Sequence, residues 1–420
     1  MPDKTNFYFM IFRIILTFTI IFLIEFLAYR ALRKFFTSAT QRKKLKRIYL
    51  SVLGLLIGFV VIYYVVLQLW PLPDPVQFRK FFNITAILLL NVAPKIILIV
   101  FSLIDDLWQL FWRLWLYIRK HKYSKALLAQ KIIISSGLAA GIFMLITILY
   151  GMLWGKSNFK VEEVYVASSR LPESFDGFRI AHISDLHLGS YRNNKDLKKG
   201  IALLMKQNPD MIVITGDIVN NEATEFLWYK NELSQLQAPY GVYSIMGNHD
   251  MGDYRRWYNE REKKCNLKKL ITLKEEVGFK VLLNSHTFIT KNTDSIAIAG
   301  VKNWGLPPFS SYGDLEKATK GKSTALFTIL LSHDPSHWEE EVLGHTEIDL
   351  TLSGHTHGFQ FGINTPNLKL SPVQLKYKRW MGLYQENKQF LYINRGFGYI
   401  GFAGRVGIYP EITIINLMHI

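Results

Sequence analysis

The pattern of apolar and polar positions divides the 420-residue chain into two regimes near Gly155. Before that point the apolar runs are long enough to cross a bilayer, which takes about 20 helical residues. Four such runs extend approximately from Tyr8 to Tyr29, Ile48 to Trp70, Phe81 to Ile104 and Ile132 to Trp154. After Gly155 the apolar runs shorten to strand length and end in polar punctuation. They predict strands at Val161–Ala167, Phe178–Ile183, Met211–Thr215, Gly241–Met246, Ser295–Val301, Thr328–Ser332, Asp349–Ser353, Phe390–Asn394 and Glu411–Leu417. Helix-like stretches at Asn194–Gln207, Thr224–Leu236 and Leu267–Val277 lie between some of them. This alternation predicts an α/β domain over residues 156–420, preceded by an all-α transmembrane region over residues 1–155.

Charge sharpens the division. The chain carries 50 Lys and Arg against 33 Asp and Glu, a net +17. Residues 1–155 hold nineteen of the bases and five of the acids, +14, and the remainder holds 31 against 28, +3. The basicity therefore belongs to the membrane region, and the nearly neutral remainder disfavours a nucleic-acid partner. A single cysteine, Cys265, excludes an intramolecular disulfide framework and any multi-cysteine zinc or iron–sulfur site.

Loops rich in Lys and Arg stay on the cytoplasmic side. The first loop holds Arg30, Arg33, Lys34, Arg42, Lys43, Lys44, Lys46 and Arg47 without an acid, and the third, from Asp105 to Lys131, holds six bases and two acids. The second, Pro71 to Lys80, holds two bases. With four spans, loops one and three lie inside, both termini lie outside, and the C-terminal domain is extracytoplasmic. The first span lacks the end of a cleavable signal peptide. Trp108, Trp112 and Trp115 share one helical face and read as an interfacial belt. Arg13, Glu25 and Lys95 sit inside spans, where charge is costly and seeks a partner. Lys95, after Pro94, is expected to neutralise Glu25 or a lipid phosphate.

The chemistry-bearing residues fall where the predicted strands end, the place where open α/β sheets build their sites. The ends read Ser184-Asp185-Leu186-His187, Gly216-Asp217, Gly247-Asn248-His249-Asp250, Ser332-His333-Asp334 and Gly354-His355-Thr356-His357-Gly358. Among them stand Asp185, Asp217, Asn248 and five of the eleven histidines as candidate ligands. Oxygen and imidazole donors without thiolates suit Mn, Fe or Zn. Seven of these eight side chains can ligate two ions if one carboxylate is shared. Gly216 and Gly247 let the backbone come close beside the metals.

This series resembles the calcineurin-like metallophosphoesterases, whose signature is D-x-H, G-D, G-N-H-D/E, H and G-H-x-H. The resemblance covers about Phe178 to Leu417. Leu171-Pro172, Phe175-Asp176-Gly177, Arg395-Gly396, Arg405 and Pro410-Glu411-Ile412 look most like the membrane-attached or exported branch. It implies two facing mixed β-sheets flanked by helices. It also implies that Asp185, His187 and His357 hold a first divalent ion, and that Asn248, His333 and His355 hold a second. Asp217 would bridge the two ions, with Mn the favoured metal. Phe359 stands where the family usually has a second glycine, a difference that affects pocket shape and no ligand.

Two ions held about 3.5–4 Å apart activate a water and clamp a phosphoryl group for in-line displacement. His249, adjacent to Asn248 and not needed for coordination, is the candidate general acid, with Asp250 orienting it. The expected activity is hydrolysis of a phosphodiester, phosphomonoester or diphosphate, lipid-linked or presented at the membrane, with membrane lipids as surroundings. Two alternatives are a cytoplasmic-facing lipid-precursor pyrophosphatase of the UDP-diacylglucosamine type and a non-catalytic, metal-stabilised membrane sensor. Gly321-Lys322-Ser323 fails as a phosphate loop because Glu316 stands where a glycine is needed. Gly396-x-Gly398-x-x-Gly401 lacks a following helix and reads as a turn. His337, four residues after His333, is a weaker candidate ligand; His121, His182, His286, His345 and His419 carry no predicted role.

Overall fold

The computed structural model describes residues 4–69, 74–122 and 126–420, which divide into two compact units. The first comprises Met1–Leu72 and Asn83–Leu149, and the second Pro73–Phe82 and Tyr150–Ile420.

Four long helices supply the first unit: α1 (Lys4–Arg33), α2 (Ala39–Leu69), α3 (Asp74–Ile118) and α4 (Leu127–Leu153). Among the described residues three segments are long and apolar enough to cross a membrane, Ala39–Tyr63, Phe82–Ile118 and Leu127–Ser157. The first predicted span falls on α1, many of whose side chains, Arg13 among them, lie outside the described residues. The predicted second loop is helical from Asp74, its residues 71–73 lying outside the described ones. The third loop shrinks to the residues after Ile118, because α3 continues through Pro94 and carries the tryptophan face with it. Trp112 and Trp115 stack with ring centres 4.9 Å apart.

Burial in this unit is inverted relative to a soluble protein. Leu55, Ile62 and Phe143 face outward, while Glu25, Asp105 and Gln130 are buried. Lys95 Nζ lies 2.6 and 2.8 Å from the two Glu25 oxygens. Tyr49 and Asn91 donate to the same carboxylate at 2.5 and 2.8 Å. The Glu25 partner, rather than a lipid phosphate, is thus the one Lys95 takes. Lys34 pairs with both Asp105 and Asp106, and Arg30 with Asp106, so residues of the first and third predicted loops meet at one end of the helices.

The second unit contains fourteen strands among its described residues. In chain order these are β1 (Lys160–Ser168), β2 (Arg179–Ile183), β3 (Met211–Ile214), β4 (Val242–Ser244), β5 (Phe279–Val281), β6 (Ser285–Lys291), β7 (Asp294–Gly300), β8 (Thr328–Leu331), β9 (Leu350–Ser353), β10 (Ile363–Thr365), β11 (Leu368–Leu370), β12 (Gly382–Glu386), β13 (Gln389–Ile393) and β14 (Glu411–His419). They form two six-stranded mixed sheets, ordered β1-β14-β2-β3-β4-β5 and β12-β13-β9-β8-β7-β6, and a separate β10-β11 hairpin. Ile180, Val213, Tyr243 and Ile415 of the first sheet meet Ile298, Ile329, Leu352 and Tyr392 of the second in one core, so the sheets face each other.

The outer faces are covered by helices α5 (Lys195–Met205), α6 (Ala223–Leu227), α7 (Lys230–Leu233) and α8 (Glu260–Glu276) on the first sheet and α9 (Leu315–Thr319) on the second. All nine predicted strands are present: eight lie inside the sheets, where burial on both faces makes them read as apolar runs, and the ninth, β1, is the half-exposed outer strand of the first sheet. The strands that prediction missed in the sheets, β5, β6 and β12, are edges, half-exposed and short of apolar residues. The predicted helix Thr224–Leu236 is broken at Tyr229, whose backbone leaves the helical region and whose hydroxyl donates to the Tyr191 carbonyl. Helix α8 starts earlier than its apolar pattern suggests because Asn259 caps it, accepting from the Glu262 amide.

Candidate metal centre

Five strand ends converge at one end of the facing sheets. Strands β2, β3 and β4 of the first sheet lead to Asp185 and His187, to Asp217, and to Asn248 and His249; β8 and β9 of the second lead to His333 and to His355 and His357. The turns are sharp: Asp185, His187, Asp217, His355 and His357 all have positive φ, between 48° and 71°. Left-handed backbone is uncommon for such residues and concentrates at functional turns. Gly216 and Gly247 are the close approach that the sequence suggested. A Cβ on Gly247 would stand within van der Waals overlap of Asp217 Oδ1, and one on Gly216 would overlap the Gly247 amide.

Two clusters result among the described residues, Asp185–His187–His357 and Asp217–His333–His355. In the first, His357 Nε2 lies 3.0 Å from His187 Nε2 and 3.1 Å from Asp185 Oδ1. In the second, His333 Nε2 lies 3.1 Å from Asp217 Oδ2 and 3.3 Å from His355 Nδ1. His187 Nε2 is 3.7 Å from Asp217 Oδ2, so Asp217 stands between the clusters. Asn248 Oδ1 approaches His355 Nδ1 at 3.0 Å, and the Asn248 amide donates to Tyr254 Oη.

These groups fit divalent cations for a specific reason. His333 Nδ1 meets the Thr215 carbonyl at 2.7 Å, and His187 Nδ1 meets Asn220 Oδ1 at 3.0 Å. Those carbonyl oxygens hold the ring hydrogens at Nδ1, so each Nε2 presents a lone pair. Each lone pair then faces carboxylate oxygens and another ring nitrogen. Acceptors opposed at about 3 Å in a buried site require a cation or a proton between them. Burial pushes the Asp185 and Asp217 carboxyls up, but the histidine rings around them outweigh it and hold both well below the usual range. Burial lowers His333, and the Asp217 carboxylate reverses this, raising it to about 10. Burial and the rings of His357 and His249 push His187 well below its usual value.

His249 stands apart from both clusters. Its ring meets His187 edge-on with centres 4.9 Å apart, and its Nδ1 faces the Asn220 carbonyl at 2.7 Å. Asp250 does not orient it as predicted. The Asp250 carboxylate accepts from the Ile218, Val219 and Gly247 amides and lies 3.5 Å from the buried Lys274 ammonium. A side chain pointing into the core cannot reach a ring that points toward the pocket, so Asp250 fixes the backbone beside Asp217 instead. His337 is likewise committed elsewhere, between Ser332 Oγ and Glu341, stacked on Trp304. The Gly396–Gly401 segment is a turn whose Phe397 and Gly398 amides donate to the Ser184 and Asp185 carbonyls.

Sequence reasoning passed over Asn220, which touches both His187 and His249, and Glu225, which accepts from the Gly189, Asn220, Asn221 and Glu222 amides and so fixes the Asn220 turn. Asn220 sits three residues after Asp217 and could have been sought as the partner of a histidine. Tyr377, whose hydroxyl lies 2.9 Å from His355 Nε2, comes from a segment without a motif. With Phe309 and Lys376 it borders a cavity of about 320 Å3 that opens onto both clusters and His249.

Two facing mixed sheets with an Asp/His/Asn constellation at one end define a metal-dependent phosphoesterase fold. Residues 178–359 match the family described as "Calcineurin-like phosphoesterase", and residues 10–156 match "Probable Calcineurin-like phosphoesterase, transmembrane domain". A metallophosphoesterase of Bacillus subtilis, YkuE, is 34% identical over 60% of this chain and 83% of its own length. The chain belongs to the calcineurin-like phosphoesterase family. "Transmembrane protein with metallophosphoesterase domain" of Danio rerio is 29% identical over 64% of this chain, which spans 60% of that relative's length. "UDP-2,3-diacylglucosamine pyrophosphatase LpxG" of Chlamydia muridarum is 28% identical over 60% of this chain and 87% of its own length.

Proposed function

We propose that residues 156–420 form a dinuclear-metal hydrolase of phosphoester or diphosphate bonds, carried by a four-span transmembrane region over residues 1–155 and acting on a lipid-like or membrane-proximal substrate. The observation that carries this reading is the pair of clusters in which acceptors oppose acceptors, with Asp217 of the second cluster 3.7 Å from His187 of the first, and His249 at the pocket outside both. Asp185, His187 and His357 would hold one ion and Asn248, His333 and His355 the other, with Asp217 available to both. Manganese is the favoured metal for this thiolate-free set. Bound divalent ions supply Lewis acidity, which makes water nucleophilic near neutral pH and offsets phosphoryl charge.

The chain's own residues do the rest. The Thr215 carbonyl and Asn220 Oδ1 hold His333 and His187 in the tautomers that aim Nε2 inward. The Asn220 main-chain carbonyl holds His249 Nδ1 as N–H, leaving Nε2 as the atom that delivers a proton to the leaving oxygen. Phe309 and Tyr377 line one side of the pocket with aromatic surface.

The meeting of Arg30 and Lys34 with Asp105 and Asp106 supports placing the first and third loops on the same, cytoplasmic side, and hence the hydrolase outside the cytoplasm. The Chlamydia muridarum relative favours a second reading, a diphosphate-linked lipid precursor processed on the cytoplasmic face. A reporter fused after Ile420 separates the two. Activity of the detergent-solubilised protein with Mn on phosphomonoesters, diesters and lipid diphosphates tests the chemistry, and failure on all of them overturns it.

A further inference from the structure

The β10–β11 hairpin belongs to neither sheet. Its register pairs Ile363 with Leu370 and Thr365 with Leu368, which places Ile363, Leu368 and Leu370 on one face. These three are 44%, 50% and 53% exposed, and Leu375 in the following turn is 95% exposed. On the other face, Asn364 and Lys369 line a cavity with Met381 and Arg395. The segment from Phe361 to Trp380 contains Lys369, Lys376, Lys378 and Arg379 and no acid, and the three lysines are exposed. An exposed apolar face on a segment that carries three exposed lysines and no acid fits a layer of anionic headgroups above acyl chains.

Position supplies the second argument. The last turn of α4, itself part of the second unit, accepts at the Gly151 carbonyl from the Arg405 amide, 3.1 Å away. The next residue, Val406, bridges to Phe361 and accepts from the Gly362 amide at the root of the hairpin. The end of a membrane-spanning helix and the hairpin are thus joined through two consecutive residues. At the hairpin's other root, Ser371 Oγ donates to the Gly358 carbonyl, directly after His357, and Pro372 and Val373 line the pocket.

We propose that the β10–β11 hairpin lies in the lipid headgroup layer of the bilayer that holds α4, and so turns the pocket mouth toward that lipid surface. The lipid contact stands on geometry alone, while its consequence for catalysis rests on the phosphoesterase reading. The test uses the full chain in phosphatidylglycerol-containing nanodiscs, in a Cys265→Ser background. A fluorophore at Leu368→Cys should be quenched by nitroxide-labelled lipid. The same label at Phe288→Cys, an exposed position on β6 at the sheet edge opposite β12, should not be. Equal quenching at the two positions overturns the proposal. Leu368→Glu with Leu370→Glu should lower hydrolysis of a nanodisc-embedded lipid diphosphate about tenfold, the scale of one lost leucine contact, and spare a soluble aryl phosphate. Equal losses on both substrates would overturn the presenting role. No activity on either substrate in the unmutated chain, with quenching intact, would instead overturn the phosphoesterase reading and leave the lipid contact standing.

Discussion

The two units bury charge in opposite ways. In the membrane unit Glu25 is surrounded by donors: Lys95, Tyr49 and Asn91 all point hydrogens at it. In the second unit Asp185 and Asp217 are surrounded by ring nitrogens that face one another, two of them held by carbonyl oxygens in the tautomer that leaves a lone pair inward. The first arrangement is complete within the chain. The second is one that divalent cations would complete. A buried charge ringed by donors marks structure, and buried carboxylates set among opposed ring nitrogens mark a place that would take a cation.

The strongest way to break this contrast is Asp217→Asn. Removing the carboxylate that stands between the clusters should empty one or both metal positions by elemental analysis and reduce hydrolysis to background; full metal occupancy would remove the proposed bridging role. His249→Ala should leave metal content intact and slow hydrolysis of poor leaving groups by about 10²–10⁴-fold, with much less effect on an activated aryl phosphate. Equal losses on both would end the general-acid assignment.

Lys95→Met tests the other half. It leaves Glu25 buried without its cation and should cost about 3 kcal/mol in resistance to detergent unfolding. The Glu25→Gln, Lys95→Met double variant should recover part of that loss, and metal content should not change in either. Asn220→Ala is expected to weaken metal affinity or activity about 10–100-fold, the usual cost of losing a ligand's orienting partner.

The smallest effect is in protons. Asp217 raises His333 to about 10, above the ordinary histidine value of 6.5. In the metal-free protein the protonated ring therefore contributes stability that is fully present below pH 6.5 and fades as pH rises toward 10. Metal must displace that proton, so at pH 7 binding should release about one proton at His333, and affinity should rise with pH. Calorimetry in buffers of different ionisation enthalpy measures the release, and a buffer-independent heat would contradict it.

Much of this was legible from residue order. The ligand series and the eight interior strands announce themselves because a strand buried on both faces must be a continuous apolar run, and because turns at its end carry distinctive Asp, His and Gly residues. The edge strands β5, β6 and β12 were silent because one side of each meets solvent and the apolar signal halves. The role of Asp250 was misread because adjacency in sequence says little about direction: at a sharp turn, neighbouring side chains diverge, one to the core and one to the pocket. Asn220 carried a weak signal, since a histidine's partner is chosen by where a carbonyl lies in space.

By itself, then, the sequence determined that there is a membrane region, that the excess charge belongs to it, and which side chains are candidates to bind metal. Those depend on composition and spacing along one chain. Tertiary structure alone decided that Lys95 answers Glu25, that Asn220 holds two histidines, and that an apolar hairpin stands beside the pocket. The first two depend on atoms brought together from segments 29 to 70 residues apart, and close-range hydrogen bonds and cation sites are set by ångström distances that no pattern of residue types records.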